Sequence, residues 1–301
     1  MKRNRLGKSD LFVSEIGLGC MSLGTEEAAA LPIIQEALDQ GINFLDTADL
    51  YDAGRNEELV GKAIRGRRQD VILATKVGNR REPGKEGWVW DPSKAYISAA
   101  VKDSLRRLGT DYIDLYQLHG GTLEDPMDET IEAFEALKRE GLIRHYGISS
   151  IRPNVIREYV RRSSVVSVMN QYSLLDRRAE EEVLPLLAEH EIGLIARGPL
   201  AGGILTAGGE RKTLRDYLDY SQVELPALRR SLLGIAGDAF TLEQMAIRYV
   251  LSNPAVSVVI PGASSLEQLR SNLSAAGVPL TAAERQAIQA VTRANRYTAH
   301  R

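Results

Sequence analysis

The chain has 301 residues, 44% hydrophobic and 26% charged, which suits a soluble globular protein with a sizeable core. Its formal net charge of -2 leaves no bulk attraction to nucleic acid or anionic membrane, and no apolar run approaches the roughly 20 residues of a membrane span. The single cysteine, Cys20, excludes an internal disulfide and a thiolate metal cluster, fits a reducing compartment and reads as a small packed residue. The basic start MKRNRLGKSD leads into no signal-peptide pattern, so a cytoplasmic location is expected, with no metal and no nucleic-acid or membrane partner.

The first element is a small hairpin, RNRLGKSDLFVSEI, turning at residues 7–10. Eight short apolar runs follow, at 15–19, 42–48, 71–78, 113–119, 143–150, 165–173, 192–199 and 256–263. Between and after them lie amphipathic stretches with apolar residues at spacings of 3 and 4, over 26–40, 56–65, 93–108, 128–140, 154–161, 179–189, 242–252 and 266–275. Gly41, Gly109 and Gly141 sit where helices should stop, and Ser93 where one should be capped. Near-continuous apolar runs read as strands buried on both faces of a parallel sheet.

About eight strand–helix units in this length predict an α/β fold, a (β/α)8 TIM barrel over 1–301 as a single domain. The hairpin would plug its N-terminal face. A loop at 80–90 and a long one at 200–240, after strand seven, would stand at the opposite mouth. A last helix is expected over 282–295. The GLGCMS run at 17–22 is not a dinucleotide fingerprint, because Ser22 stands where the third glycine belongs.

Polar residues recur where the apolar runs end: Asp46, Lys76, His119, Ser149, Gln171, Arg197 and the pair Pro261, Gly262. In a barrel these ends share one mouth, where active sites are built. Asp46 could be a turn cap, and Lys76 could simply pair with it, since a buried ammonium needs an acid. With Tyr51 and His119 added, the set suits proton delivery to an oxygen that gains negative charge. An ammonium stabilises a phenolate, a carboxylate orients the ammonium, and an imidazole can hold a carbonyl oxygen.

These residues lie in segments that resemble the aldo-keto reductase family: GLGCMSLG, NFLDTADLYDAGRNEELVGKAI, LATK, RLGTDYIDLYQLH, LKREGLIRHYGISS, NQYSLLDR and VIPGASSLEQLRSNL. The resemblance implies an NAD(P)H-dependent reductase of aldehydes or ketones, acting on a small carbonyl compound. It puts Asp46, Tyr51, Lys76 and His119 at the catalytic tetrad, with Tyr51 as the acid. It implies an extended NADP(H), with NAD(H) as the alternative. The nicotinamide would lie near Ser149 and Gln171, the pyrophosphate by Gly198, Leu200 and Gly202, and the adenosine phosphate by Pro261, Gly262, Ser264, Gln268 and Asn272.

There are departures from the family pattern. Ser150 stands where Asn is common. Arg197 replaces an aromatic that would stack on the nicotinamide. Ser264, Ser265 and Gln268 stand where a cation often meets the 2′-phosphate, and Arg270 is the nearest one. Trp88, Trp90 and Met21, with Tyr172 a weaker candidate, are expected at a substrate pocket. Two other functions are open on the residues: a Schiff-base aldolase using Lys76, or a cofactor-binding regulatory subunit with little turnover.

Overall fold

Eight parallel strands form one sheet whose order follows the chain, in a computed structural model that describes residues 1–82 and 84–301. A hairpin of β1 (Arg3–Arg5) and β2 (Phe12–Ser14) leads into the first barrel strand, β3 (Leu18–Gly19), then α1 (Glu27–Asp39). Next come β4 (Phe44–Asp46), α2 (Arg55–Ala63) and β5 (Ile72–Val77). A short antiparallel pair, β6 (Asn79–Arg80) and β7 (Val89–Trp90), precedes α3 (Lys94–Leu108) and β8 (Ile113–Leu118). The wall continues through α4 (Met127–Arg139), β9 (Ile143–Ser149), α5 (Pro153–Arg162), β10 (Ser167–Gln171), α6 (Val183–Glu189) and β11 (Gly193–Arg197). It ends with α7 (Leu225–Ala236), α8 (Leu242–Leu251), β12 (Val256–Ile260), α9 (Leu266–Leu273) and α10 (Ala282–Val291).

The sheet runs β3, β4, β5, β8, β9, β10, β11, β12, and parallel bridges Ile16–Val259 and Gly19–Gly262 join its two ends. The architecture is therefore the expected (β/α)8 barrel. Every residue of β5 and of β8 is buried, as two-sided packing requires. The helices turn their apolar stripes inward: α5 buries Val155, Ile156, Tyr159 and Val160. Ser93 caps α3 by accepting from the Tyr96 N–H, and Gly109 ends it at φ 63°, where a Cβ would be costly. No helix among the described residues is long and apolar enough to cross a membrane.

The hairpin closes the N-terminal face. Its Leu6, Leu11 and Val13 join Phe44, Ile72, Leu115, Met169, Ile195 and Val258 in one inner cluster. Each such fully buried side chain contributes about 1.5–3 kcal/mol. Gly7 makes the close approach: a Cβ there would sit 2.2 Å from the Val166 carbonyl oxygen. Asp10 pins the turn to β9, accepting from Arg144 at 2.9 Å and contacting His145 at 2.7 Å.

Two expected loops contain more structure than their polar composition suggests. The 80–90 segment is stapled at its base by β6 and β7. The 200–240 segment carries α7, which packs on α8 and α10. The last helix stops at Val291 rather than at 295, because Thr292 turns extended and its carbonyl accepts from Arg177.

Candidate active site

Strand parity brings the polar residues together. Phe44, Ala74 and Leu115 belong to the inner cluster. Two residues on, the same faces present Asp46, Lys76 and Gln117, and His119 follows in the same parity. Register fixes their height: Asp46 lies beside Ala74, and Lys76 beside Gln117.

Lys76 Nζ is the hub. It donates to Asp46 Oδ1 at 2.6 Å, to the Thr47 carbonyl at 2.8 Å and to the Tyr51 hydroxyl at 3.2 Å. The ion pair expected of a structural role is thus present, and it also reaches the phenol. Tyr51 opens a tight turn whose next residues, Asp52 and Ala53, are left-handed at φ 49° and 55°. His119 completes the group: its ring meets the Tyr51 ring edge-on, with centroids 5.9 Å apart. The imidazole Nδ1 is buried without a protein partner.

Burial and charge set the protonation states. Burial opposes the Lys76 ammonium, but Asp46 and Tyr51 outweigh it and hold the group above its ordinary range. Burial lifts the Asp46 carboxyl, while Lys76 and Gln117 pull it back down. Burial, Lys76 and Arg197 depress His119 to about 3, so its imidazole is neutral at pH 7. Tyr51 differs from the simple expectation that an ammonium lowers a phenol. Burial exceeds the pull of Lys76, Asp46 adds to it, and the phenol lies above its usual value.

Ser149, Gln171 and Arg197 are the last residues of β9, β10 and β11. Arg197 Nη1 donates to Gln171 Oε1 at 2.9 Å, and Gln171 Nε2 donates to the Tyr217 hydroxyl at 3.3 Å. Ser150, in place of Asn, caps a local turn by accepting from the Arg152 N–H at 3.2 Å. Gly198 and Gly202 are left-handed in the turn after β11, and a Cβ on Gly202 would meet nothing within 4 Å. Leu200 lies in the same turn. The next residues are clamped: buried Arg229 donates to the carbonyls of Ile204, Thr206 and Ala207, and Glu243 accepts from the Ala207 N–H at 2.6 Å.

Pro261 and Gly262 follow β12, and Asn272 Nδ2 donates to the Gly262 carbonyl at 3.1 Å. Ser264 and Gln268 bond to each other at the start of α9, with Ser265 as the cap. Arg270 turns away and donates to Glu36 at 3.1 Å. These residues fit a nicotinamide dinucleotide in kind. Amide and hydroxyl groups stand beside the tetrad, an open glycine edge follows, and the Ser264 and Ser265 hydroxyls lie at a helix start.

The substrate-side candidates separate. Trp90 donates from its indole to Asp125 at 3.0 Å and packs over Gly78 and Gly120, beside His119. A Cβ at Gly78 would lie 2.5 Å from that ring, so glycine is what lets the indole lie flat. Trp88 is 52% exposed and Met21 63% exposed, both touching water more than the site. Tyr172 is buried, donating to Glu180 at 2.8 Å, which makes it a packing residue. Cys20 is fully buried beside Asp46, and burial pushes its thiol up.

One residue at the site was missed in the sequence. Gln117 is fully buried and donates from Nε2 to Asp46 Oδ2 at 3.1 Å. Its signal was parity: in DLYQLH it alternates with Leu115 and His119.

Comparison with known proteins agrees with the barrel fold. The model described as "Aldo/keto reductase family" matches residues 15–293. YqkF of Bacillus subtilis, described as an uncharacterized oxidoreductase, is 59% identical over 100% of this chain and 100% of its own. A second Bacillus subtilis oxidoreductase, YrpG, is 35% identical over 93% of this chain and 92% of its own. The holo form of aldo-keto reductase AKR11C1 from Bacillus halodurans superposes with a TM-score of 0.94 at 58% identity, covering 100% of this chain and 99% of that one.

Proposed function

The chain belongs to the aldo/keto reductase family, NAD(P)H-dependent oxidoreductases of carbonyl compounds, and on that footing we propose that it reduces aldehydes or ketones with Tyr51 as proton donor. The observation that carries this reading is the triple engagement of Lys76 Nζ, which ties the Tyr51 hydroxyl to the buried Asp46 carboxylate. A bound nicotinamide supplies the hydride. Tyr51 gives its proton to the carbonyl oxygen as that oxygen gains charge, and the Lys76 ammonium stabilises the phenolate left behind. Asp46, held by Gln117, keeps the ammonium charged and aimed. Neutral His119 donates an N–H to the same oxygen and so fixes the carbonyl between imidazole and phenol.

Ser149 and Gln171 would take the nicotinamide carboxamide, and Arg197 would lay its guanidinium plane on the ring. The turn at Gly198, Leu200 and Gly202 would take the pyrophosphate. The adenosine phosphate would meet Pro261, Gly262, Ser264, Gln268 and Asn272. NADPH would be preferred over NADH by a narrow margin, because hydroxyls and a helix start would meet the 2′-phosphate while Arg270 is occupied by Glu36. Trp90 would form the apolar wall of the substrate pocket, with Trp88 and Met21 on its rim. We read residues 1–301 as one barrel domain acting on small carbonyl compounds in the cytoplasm.

Two rival chemistries fit the site less well. A Schiff-base aldolase needs a free amine, whereas Lys76 is held as an ammonium by three acceptors. A purely regulatory cofactor-binding subunit would not need all four tetrad groups in contact.

Parallel titrations of NADPH and NADH, followed by their oxidation with a panel of reactive aldehydes, test the proposal. Binding of NADPH a few-fold tighter than NADH, with turnover of several aldehydes, is expected. Absence of binding and turnover with both cofactors would refute it. Tyr51→Phe should lower turnover about 10²–10⁴-fold while leaving cofactor affinity within twofold. Undiminished turnover in that variant would remove Tyr51 from its role.

A further inference from the structure

The turn that carries Tyr51 holds a second carboxyl, and the mechanism above does not use it. Asp49 lies between Asp46 and Tyr51. Its N–H donates to the Lys76 carbonyl at 3.4 Å, and the Tyr51 N–H donates to the Ala48 carbonyl at 3.2 Å. Asp49 is therefore part of the backbone that aims the phenol. Its side chain meets the helix layer: Oδ2 accepts from the Tyr96 hydroxyl of α3 at 3.5 Å, and Oδ1 is buried with no partner. The Tyr116 hydroxyl of β8 is likewise buried with no partner.

The charged and titratable groups facing Asp49 are Tyr96 and Arg107 of α3, Glu57 of α2, Lys76 of β5 and Tyr116 of β8. Neither cation is free to serve Asp49. Arg107 binds Glu57 at 2.6 Å, and Lys76 binds Asp46 at 2.6 Å. Glu57 is a fully buried carboxylate nearby, and its second oxygen already accepts from Thr75 Oγ1 at 2.6 Å. A charged Asp49 would thus be a buried anion beside another anion, with one long side-chain hydrogen bond and the Leu50 backbone N–H to support it. As a neutral acid it carries no charge into this corner and still accepts from Tyr96.

We infer that Asp49 is a positioning residue for Tyr51, seating the turn at 47–51 through its protonated carboxyl, which accepts from Tyr96, and that charging Asp49 unseats the turn. The inference rests on Tyr51 being the proton donor. The turn needs such an anchor, because Asp52 and Ala53 hold left-handed conformations directly after the phenol. Burial, with Glu57 beside it, pushes Asp49 up to about 7, which puts the change of state near neutrality.

The test compares kcat for aldehyde reduction at saturating cofactor, from pH 5.5 to 8.5, in the wild type, Asp49→Asn, Tyr96→Phe and Tyr51→Phe. Asparagine stays neutral throughout. The ratio of Asp49→Asn to wild-type turnover should rise at least threefold between pH 6 and pH 8, with its midpoint near pH 7. Tyr96→Phe removes the side-chain donor to the carboxylate, so its own loss of turnover should move to higher pH. A ratio that stays flat with pH overturns the inference. If Asp49→Asn does not fold, Tyr96→Phe decides: an unmoved midpoint overturns the inference and an upward one supports it. Thermal midpoints of the cofactor-free proteins give a readout apart from activity. The wild type should lose more stability than Asp49→Asn as pH rises from 5.5 to 8, because the folded state binds the extra proton. Tyr51→Phe separates the two layers. If it stays active, the assignment of Tyr51 fails; if it is dead and the ratio is flat, only the role of Asp49 fails.

Discussion

Gln117 donates its side-chain amide to Asp46 Oδ2 at 3.1 Å, on the oxygen that Lys76 leaves free. The carboxylate is thereby held at both ends, and all three side chains are buried. Gln117→Leu keeps the volume and removes the donor. It should lower stability by about 1–3 kcal/mol, the cost of an unsatisfied buried acceptor. Turnover should fall while cofactor affinity holds, because the amide acts through Asp46. Urea unfolding beside a cofactor titration checks both halves, and a loss confined to cofactor affinity would contradict the assignment.

The ion pair of Lys76 and Asp46 is buried on both sides, with side-chain exposures of 1% and 3%. Lys76→Met strands the carboxylate and should destabilise the protein by about 3–5 kcal/mol. The double variant Lys76→Met, Asp46→Asn should recover much of that loss while remaining inactive. Denaturant midpoints for the two singles and the double give the interaction energy directly. Additive losses would show that the two groups do not interact.

His119 carries a pH signature of its own. Burial, Lys76 and Arg197 hold it at about 3, against an ordinary value of 6.5. The unfolded chain takes up a proton below the ordinary value, and the folded chain refuses it until near the depressed one. Stability from this group is complete above pH 6.5 and is lost as pH falls toward 3. Between pH 7 and pH 4.5, His119→Gln should lose about 2 kcal/mol less than the wild type. Parallel slopes of unfolding free energy against pH would contradict this.

Arg270 is the cation nearest the expected 2′-phosphate in sequence, but its guanidinium is taken by Glu36. Arg270→Ala should therefore leave the ratio of NADPH to NADH affinity within twofold. Gln268→Arg supplies a cation at the start of α9 and should tighten NADPH about tenfold with NADH unchanged. Fluorescence titration of both cofactors against each variant measures the ratio. A large fall in NADPH affinity in Arg270→Ala would place the phosphate elsewhere.

The barrel was legible because strands buried on both faces write themselves as apolar runs, and all eight runs contain a strand of the wall. The approach of Asp46, Tyr51, Lys76 and His119 was legible because residues that end parallel strands share one mouth. Gln117 was hidden for a complementary reason. Inside a strand, an amide facing the barrel axis and one facing a helix look alike taken singly; parity with His119 separates them in sequence, and register against Lys76 then fixes the height. Asp49 was hidden because its neighbours Tyr96, Arg107 and Glu57 come from helices whose rotation is set by packing. The helix inside 200–240 was missed because polar turns surround it and Arg229, its anchor, holds mainly backbone carbonyls, with the Glu210 carboxylate 3.8 Å away.

The seam of the barrel has a consequence for how the protein is made. Three backbone bonds close it: Gly17 N–H to the Val259 carbonyl, Val259 N–H to the Glu15 carbonyl and Gly19 N–H to the Pro261 carbonyl. Their two sides come from opposite ends of the chain. On the ribosome, β3 leaves the exit tunnel long before its partner β12 has been translated. Throughout synthesis the nascent chain carries an unmatched strand margin, open to pairing with any neighbouring chain. Closure is thus among the last events of synthesis, and the proteins that shield nascent chains have a defined margin to cover until it occurs.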